Sequence, residues 1–292
     1  MASTQILKRR IRSISNTKQI TKAMELVAAA KMRRVQEIAK RARFYSDAAI
    51  SILGRLSASP EAARHVYFNP PAGKAKLYII FSSDSGLAGA YNSNIFNAAA
   101  RAFAQDKQNG IQPLVIAFGR KGARHFSRGT NIELLGEYEN VPDDPDINIF
   151  APVLETIAGG IREGRFGSVA LIYTEPVSTM TQQVRALQLI PIAPPPESDE
   201  PANQPDKVVF EFEPDSEVVL ESALRLYFES SLRRARVEAA AAEHAMRMIS
   251  MSNANRNAGE LIDVLTLELN ATRQAAITQE MAEIIGGANA IV

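Results

Sequence analysis

The chain contains no cysteine, which excludes disulfides, thiolate catalysis and cysteine-based zinc sites. It also has no run that approaches the ~18–20 consecutive apolar residues needed to span a bilayer. Near its start, Lys8-Arg9-Arg10 appears with no apolar stretch behind it, so we expect neither a secretory signal nor a transit peptide. These absences predict a protein that is soluble or peripheral to a membrane.

Proline and glycine are scarce at both ends of the chain. All 15 prolines lie within residues 60–214, and residues 1–53 contain neither residue type. Residues 215–285 contain no proline and one glycine, Gly259. Because an interior glycine costs a helix ~1 kcal/mol and a proline ~3 kcal/mol, both ends are predicted to form very long helices.

Apolar residues in these two arms recur in steps of three and four. Such spacing is typical of the narrow seam of a two-helix coiled coil, although helices lying on an ordinary core share it. The predicted seam positions are Leu7, Ile11, Ile14, Ile38, Ala42, Tyr45, Ala49 and Ile52 in the first arm, and Leu220, Leu224, Tyr227, Ser231, Ile262, Leu265, Leu269, Thr272 and Ala276 in the last.

Helix length decides between the two interpretations. At ~1.5 Å per residue, a helix over 1–53 is roughly 80 Å long and one over 215–285 roughly 105 Å. A compact globule of this chain length has a diameter of about 50 Å and cannot enclose either helix. We therefore expect an α plus α/β fold, in which a long antiparallel coiled coil is formed by an N-terminal helix (1–58) and a C-terminal helix (214–292). A Rossmann-like α/β domain (59–213) is inserted between them.

Strand and helix patterns alternate through the middle of the chain, which favours a small parallel or mixed sheet with helices on its faces. A loop over Ala193–Pro205 leads from the sheet to Val208–Phe212. The predicted strands are Lys76–Phe81, Pro113–Phe118, Ser168–Tyr173 and an edge strand within Gln182–Ile192, and the predicted helices are Tyr91–Ala104, Lys121–Ser127 and Ile149–Ile161.

The segment Ser82–Gly89 is the candidate phosphate cradle, because it connects a predicted strand to a predicted helix. The dinucleotide fingerprint needs three glycines, and only Gly86 and Gly89 are present. Asp84 would repel a phosphate at the start of the helix, so we expect a structural turn with Asp84 as a cap. No P-loop and no Gly-x-Ser-x-Gly elbow occurs elsewhere. No catalytic residue and no cofactor site is predicted.

Metal-binding patterns are missing as well. His65, His125 and His244 lie far apart in the sequence, so each is expected to be a surface or capping histidine. The acidic segment 143–146 contains a proline and lacks the calcium-loop pattern, and it predicts a turn. No metal site is expected.

Three stretches of the chain carry a family resemblance. Ile11–Arg34 (IRSISNTKQITKAMELVAAAKMRR) and Ile277–Ala290 (ITQEMAEIIGGANA) resemble the terminal helices of the gamma subunits of rotary F-type ATP synthases. Ser83–Ile95 (SDSGLAGAYNSNI) resembles that family's Ser-Asp-Arg-Gly-Leu-Cys-Gly segment, with Ser85 and Ala88 replacing the arginine and the cysteine. The inserted loop of chloroplast and cyanobacterial members is missing, which favours a bacterial member.

The resemblance implies a rotor function. In this family the coiled coil stands inside a ring of three alpha and three beta subunits, and its foot rests on epsilon and the membrane c-ring. Proton flow turns ring and shaft, which drives the beta catalytic sites through ATP synthesis, and hydrolysis reverses the motion. The chain itself would be a non-catalytic, peripheral subunit on the cytoplasmic face of the bacterial plasma membrane.

The resemblance also implies which residues contact other subunits. Four positions match those that touch the moving loop region of beta: Arg273, Gln274, Thr278 and Glu280. Met24, Lys18 and Lys22 match the opposing N-terminal helix face, expected near the same level. A solvated coiled-coil flank is the alternative for the charged residues. The apolar end would form a bearing in an apolar collar, with a frayed terminus as the alternative, and its residues are Ile284, Ile285, Ala288, Ile291 and Val292.

The charge of the chain is unevenly distributed. Residues 1–53 carry 12 Lys/Arg against 3 Asp/Glu, although the whole chain has a net charge of +1. A basic arm suggests acidic partners or pairing of the two ends. It would also attract nucleic acid, but only Phe44 and Tyr45 supply aromatic rings there, so no nucleic-acid partner is expected. The other rival, a nucleotide-using α/β enzyme, lacks its glycine pattern.

Overall fold

The computed structural model describes residues 4–57, 62, 64–71, 73–128, 132–178, 180–192 and 215–289. Two helices dominate these ranges: α1 (Thr4–Leu56) has 53 residues and α5 (Ser216–Asn289) has 74. Across the described ranges, we find no helix with the length and apolar character that a membrane span requires. The elements between α1 and α5 are β1 (Ala75–Phe81), α2 (Tyr91–Gln108), β2 (Gln112–Phe118), α3 (Arg120–Ser127), β3 (Glu133–Tyr138), a 3-10 turn (Ile147–Phe150), α4 (Ala151–Arg162), β4 (Ser168–Pro176) and β5 (Gln182–Ile190).

The chain forms two compact units. The first combines Met1–Ala29 with Arg247–Val292 and is a pair of helices. The second, Ala30–Met246, contains the sheet together with the adjoining parts of α1 and α5. The division of the chain by role at residues 58 and 213 stays a prediction.

The sheet in the second unit has the strand order β3-β2-β1-β4-β5. Its first four strands are parallel, with Leu77 of β1 opposite Leu114 of β2 and Val169 of β4, and β5 is an antiparallel edge strand. The central strands are apolar runs because helices cover both faces of a parallel sheet. The expected Rossmann-like mixed sheet and its edge strand are confirmed.

Alternation along the strands divides the core into two layers. Leu77 and Ile79 of β1 face one layer, and Tyr78 and Ile80 face the other. The first layer is closed by residues of α4 and α5 and by the end of α1, including Val153, Ile157, Leu224, Phe228, Leu53 and Leu56. The second is closed by residues of α2, α3 and α5, including Tyr91, Ile95, Phe103, Phe126 and Ala242.

One stretch of helix α5 in the second unit is buried on all sides. Every residue from 235 to 242 is buried, including the alanine run 239–242. A helix surrounded by protein needs small or apolar side chains around its whole circumference, and alanine allows close approach while keeping high helix propensity. This is why the coiled-coil spacing disappears from α5 in this stretch.

The structure departs from the predicted elements at two points, and two predicted segments are not described. Strand β3 was not predicted, because Gly136 and half-buried side chains weaken its pattern, and its pairing with β2 contains a register shift. Helix α5 continues through Gly286-Gly287 to Asn289 instead of ending at residue 285. Ala193–Pro205 and Val208–Phe212 lie outside the described residues.

The seam of α1 differs by one residue from the predicted one in its second half. Tyr45 and Ile52 are each 46% exposed, whereas Ser46 and Leu53 are 1% and 2% exposed. Neighbouring helix positions are separated by about 100°, so one residue decides which of two adjacent faces is buried. The observed buried or half-buried positions follow steps of four and three throughout: Leu7, Ile11, Ile14, Lys18, Thr21, Glu25, Ala28, Met32, Val35, Ala39, Ala42, Ser46, Ala49, Leu53 and Leu56.

The acidic turn before the 3-10 helix is fastened to α5. Asp143 Oδ2 lies 2.8 Å from His244 Nε2, and Arg236 donates to Asp143 Oδ1 at 3.3 Å and to the Val141 carbonyl at 2.6 Å. Burial raises the pKa of Asp143, but the His244 hydrogen bond and the charges of His244, Arg236 and Lys31 outweigh it and lower the pKa to about 2. The expectation of a surface or capping His244 was wrong, since this side chain is 5% exposed.

The seam assignment predicts unequal effects of two neighbouring substitutions. Leu53→Ala removes a side chain buried in the core and should lower the free energy of unfolding by about 2–5 kcal/mol. Ile52→Ala changes an exposed side chain and should cost less than about 1 kcal/mol. Urea unfolding followed by circular dichroism measures both, and equal losses would contradict the observed seam.

The lowered pKa of Asp143 predicts that the stability of the fold decreases at acidic pH. Its pKa is lower in the folded state, so its contribution is complete above the unfolded value near 3.8 and is lost as the pH falls towards about 2. Since the side chain is 36% exposed, screening reduces this contribution, and we expect about 0.5–1 kcal/mol to disappear between pH 5 and pH 3. Asp143→Asn should remove this part of the pH dependence in urea unfolding, while Asp144→Asn should retain it. A parent and an Asp143→Asn variant with the same pH slope would rule the pair out as its origin.

Candidate functional site

The first compact unit contains all of the predicted contact residues that the structure describes. Its two helices bury a seam with seven-residue spacing, in which Met251, Ala258 and Leu265 of α5 are 5%, 9% and 7% exposed. Half-buried residues continue this seam as predicted: Ile262 lies between Ala258 and Leu265, and Leu269 and Thr272 follow Leu265. Ala276, also predicted to be in the seam, is exposed. The paired part of α5 therefore ends near Thr272.

A polar layer interrupts the apolar seam at Lys18. The Lys18 carbonyl accepts from Asn255 Nδ2 at 2.8 Å and from Thr21 Oγ1 at 3.0 Å. A Cβ at Gly259 would lie 3.0 Å from Lys18 Nζ and 3.6 Å from its Cε. Gly259, the single glycine between residues 215 and 285, thus leaves room for the lysine side chain to cross α5. The sequence offered the isolated glycine as a signal, but its partner could not be read from it.

Beyond the paired part, α5 exposes the predicted beta-contact residues. Arg273, Gln274, Thr278 and Glu280 are all exposed. Thr278 Oγ1 donates to the backbone carbonyl of Gln274 at 2.9 Å. This bond lies within the helix and does not use the side-chain amide of Gln274. Within the described part of the chain, Arg273 forms no ion pair. The exposed polar groups on these residues include a cation, an amide and a carboxylate.

The predicted N-terminal contact residues lie at a different level. Lys18 is beside Gly259, which precedes Arg273 by 14 residues, or about 21 Å of helix rise. Because the helices are antiparallel, Lys22 and Met24 are farther still from Arg273. The expectation that these groups share a level was therefore wrong. Lys18 and Met24 are half-buried, and exposed Lys22 pairs with Glu25 at 3.1 Å.

The end of α5 carries an unpartnered apolar stripe that the sequence analysis identified only in part. Ile284 and Ile285 are 71% and 59% exposed, and Ile277 and Met281 continue the same stripe at 50% and 56%. The spacing of 277, 281, 284 and 285 places these side chains on one helix face, and this spacing was visible in the sequence. The Ala288 side chain, Ile291 and Val292 lie outside the described residues.

The carboxyl edge of the sheet, the alternative site, is filled by the chain's own groups. Asp84 Oδ1 accepts from the amides of Arg120 at 3.0 Å and Asn140 at 3.1 Å. Asp84 is a cap, as predicted, but it caps α3. Helix α2, which follows the turn that contains Asp84, has Ala90 at its N-cap position and no side-chain cap. The amides at the start of α3 are those that would bind an anion, and a carboxylate already occupies this position.

The turn after β2 is closed as well. Gly119 has a φ of +92°, and a Cβ there would lie 2.3 Å from the Ser82 carbonyl oxygen. Ser82 Oγ donates to the Phe118 carbonyl and accepts from the Gly122 amide, both at 2.8 Å. Only glycine fits this contact, and the close packing of the two loops leaves no cradle for a phosphate.

The two remaining histidines have structural partners. His65 accepts from the Tyr67 amide at 3.3 Å, and exposed His125 stacks on Phe96 with centroids 4.1 Å apart. Burial lowers the pKa of both histidines. Among the residues that the structure describes, no group of three or more His, Asp or Glu side chains is placed to hold a metal ion.

Comparison with known proteins agrees with the helix pair and the α/β unit. A family model described as ATP synthase matches residues 3–291. The ATP synthase gamma chain of Clostridium acetobutylicum is 36% identical over 286 residues, which cover 98% of this chain and 97% of that one. That of Desulforamulus reducens is 37% identical over 291 residues and the full length of both. The Acetobacterium woodii gamma chain, named sodium ion specific, is 34% identical over 99% of both chains.

Solved structures share the fold. A chain of the Tetrahymena thermophila mitochondrial ATP synthase central stalk and c-ring superposes with a TM-score of 0.62 at 24% identity, covering 80% of this chain and 99% of that one. A chain from the Euglena gracilis mitochondrial ATP synthase has a TM-score of 0.69 at 16% identity, covering 99% and 94%. The family model matches almost every residue, and the relatives from Clostridium acetobutylicum and Desulforamulus reducens are 36% and 37% identical in sequence over nearly their full length. This chain therefore belongs to the ATP synthase gamma chain family.

Proposed function

We propose that this chain is the central rotor shaft of a proton-translocating F-type ATP synthase. It transmits rotation of the membrane c-ring to the catalytic sites of three beta subunits, which drives ATP synthesis, and it turns in reverse during hydrolysis. The observation that carries this proposal is the end-to-end match to relatives named ATP synthase gamma chain. The unpaired end of α5 agrees with it, because this surface is built to contact another protein.

The chain is proposed to be a non-catalytic subunit. At the carboxyl edge of the sheet, where doubly wound folds bind nucleotides, Asp84 occupies the amides of Arg120 and Asn140. Its negative charge would repel a phosphate at this position. The role left to the chain is mechanical: contacts that differ between conformations of beta shift the equilibria among those conformations.

The apolar stripe of α5 is the observation that supports a bearing at this end of the helix. Single exposed apolar side chains are common, but a stripe of four along an unpaired helix end marks an interaction surface. We assign Ile284 and Ile285 to a bearing inside an apolar collar of alpha and beta subunits, and add Ile277 and Met281. Apolar contacts without directional bonds let a helix turn at low cost. The assigned set also includes Ala288, Ile291 and Val292.

The polar residues before the bearing are proposed as the torque contact. Arg273, Gln274, Thr278 and Glu280 are exposed, and the guanidinium is available for an acidic loop of beta. A guanidinium matches a carboxylate with two parallel hydrogen bonds, which makes the contact depend on orientation. Lys18, Lys22 and Met24 are assigned to a second contact about 21 Å or more from it along the shaft.

The basic start of α1 is proposed to steer the shaft into the ring. Lys8, Arg9, Arg10 and Arg12 are all exposed. Facing acidic loops of beta, they would give an attraction that salt weakens, since the Debye length is about 8 Å at physiological ionic strength. No nucleic-acid partner belongs to this proposal.

The α/β unit is proposed as the foot that rests on the epsilon subunit and the membrane c-ring. This position makes the chain a peripheral protein on the cytoplasmic face of the bacterial plasma membrane. The solved central stalk of Tetrahymena thermophila, which is named together with its c-ring, supports this placement by its shared fold.

The proposed function predicts an assembly of defined stoichiometry. Co-expression with one alpha and one beta subunit should yield a complex that contains one copy of this chain per three alpha–beta pairs. The complex should hydrolyse ATP, and the isolated chain should not. Measurement of subunit mass and of ATP turnover decides the matter. A chain that remains a monomer beside alpha and beta, or that hydrolyses ATP alone, would overturn the proposal.

The torque contact predicts the effect of a double substitution. Arg273→Ala with Gln274→Ala should lower coupled ATP synthesis about two- to tenfold, as expected for the loss of about 0.5–1.5 kcal/mol of hydrogen bonding. The circular dichroism of the isolated chain should stay unchanged, because both side chains are exposed.

A matched pair of residues provides the control. Arg256 and Asn257 are likewise an exposed arginine followed by an amide on α5, within the part that pairs with α1. Arg256→Ala with Asn257→Ala should leave synthesis near the parent rate. Parent-like coupling in the Arg273/Gln274 variant, or an equal loss in the control, would remove the torque contact from these residues.

A further inference from the structure

Six charged side chains in the second compact unit form one continuous chain of alternating sign, which we call the charge chain. It joins α1 and α5 to strands β4 and β5. In order, it consists of Asp47 of α1, Arg234 and Glu238 of α5, Arg43 of α1, Glu175 of β4 and Arg185 of β5. The nitrogen–oxygen distance is 3.2 Å between Arg234 and Glu238 and 2.8 Å in the other links.

Glu238 is the buried centre of the charge chain. The residue is 1% exposed, and its Oε1 accepts from Arg43 Nε at 3.1 Å, from Arg43 Nη2 at 2.8 Å and from Arg234 Nε at 3.2 Å. Its Oε2 is buried and has no hydrogen-bond partner among the described residues. A buried carboxylate with one unsatisfied oxygen adds little stability compared with an apolar side chain, so its presence calls for another role.

Arg43 is the branch point of the charge chain. Its Nη2 lies 2.8 Å from Glu238 Oε1 and 2.8 Å from Glu175 Oε1, so one nitrogen joins α1 to both α5 and the sheet. The hydrogen bond to Glu238 raises the pKa of Arg43. Glu175 Oε2 in turn accepts from Arg185 Nη1 at 2.8 Å. The geometry is satisfied for one axial position of α1 only.

The apolar contacts beside the charge chain define that position only weakly, because most of the side chains there are small. On α1 the seam residues from 39 to 49 are Ala39, Ala42, Ser46 and Ala49. The cluster that faces them contains Ala240 and Ala241 of α5, and its larger members are Val35, Ile38 and Val237. A slide of α1 by seven residues would replace Ala42 by Ala49 and Ala39 by Ser46, nearly like for like. Such small side chains form shallow knobs, and register in coiled coils is set by polar residues within the seam.

We propose that the charge chain fixes the register of α1 against α5 and the sheet, with Arg43 and Glu238 as the positioning residues. A slide of one helical turn or one heptad would separate Arg43 from both carboxylates and leave buried Glu238 paired only with Arg234 of its own helix among the described residues. This inference deepens the proposed function and rests on it in one respect: a shaft of two helices transmits torque without loss only if the helices do not slide past each other.

The register is measurable because the chain has no cysteine of its own. Ala48→Cys on α1 and Ser222→Cys on α5 place spin labels at two exposed positions of the full-length chain. Double electron–electron resonance should give one narrow distance for this labelled parent. The double variant Arg43→Gln with Glu238→Gln should add a second population displaced by about 5–10 Å, the rise of one turn to one heptad.

Glu37→Gln is the matched control, since Glu37 lies on the same helix and pairs with Lys40 at 2.9 Å but is 67% exposed. It should keep the single parent distance. The deciding quantity is the distance distribution rather than the melting temperature, which any structural residue would change.

A single parent distance in the Arg43/Glu238 double variant would overturn the inference. If that variant loses its helical circular dichroism, Arg43→Gln and Glu238→Gln are measured separately, and a single parent distance in both overturns it equally. This measurement uses the chain alone, so its failure would leave the rotor proposal intact. A failed assembly with alpha and beta would overturn the rotor proposal and leave the measured register unaffected.

Discussion

The structure depends on one constraint: two helices of 53 and 74 residues must bury their apolar seams. An isolated helix is marginal in water, because propensity alone barely offsets the cost of ordering the backbone. Each helix is the partner that the other requires, and the steps of four and three along α1 supply that contact from Leu7 to Leu56.

Helix α5 passes through three environments in succession, and its amino-acid composition changes with each of them. Within the α/β unit it is buried on all sides from 235 to 242 and is rich in alanine from 239 to 242. From Met251 to Leu265, along the helix pair, it buries one residue in seven: Met251, Ala258 and Leu265. From Arg273 to Ile285 every residue is exposed, with a polar group followed by an apolar stripe. A single continuous helix can therefore anchor in one part, pair in the next and contact other proteins at its end.

Polar residues inside the seam add less stability than apolar residues would, but they specify one register of the two helices. Lys18 crosses α5 at Gly259, and Glu238 is buried with one unpaired oxygen. Apolar side chains of similar volume would pack at least as well. What the polar groups supply is a single geometry, because hydrogen bonds are lost when a helix slides while alanine contacts are nearly unchanged. For a shaft, a defined register is worth more than additional stability.

The sequence by itself determined the two long helices, the central strands, the absence of a glycine-rich cradle and the family resemblance. These features are encoded locally, in missing prolines and glycines, in short apolar runs and in contiguous motifs. Only the tertiary structure decided that Ser46 rather than Tyr45 enters the seam, that Asp84 caps α3, that His244 binds Asp143, and that Lys18 lies far from Arg273. Each of these depends on the register between distant segments, and register is set by packing and pairing energies that no local pattern contains.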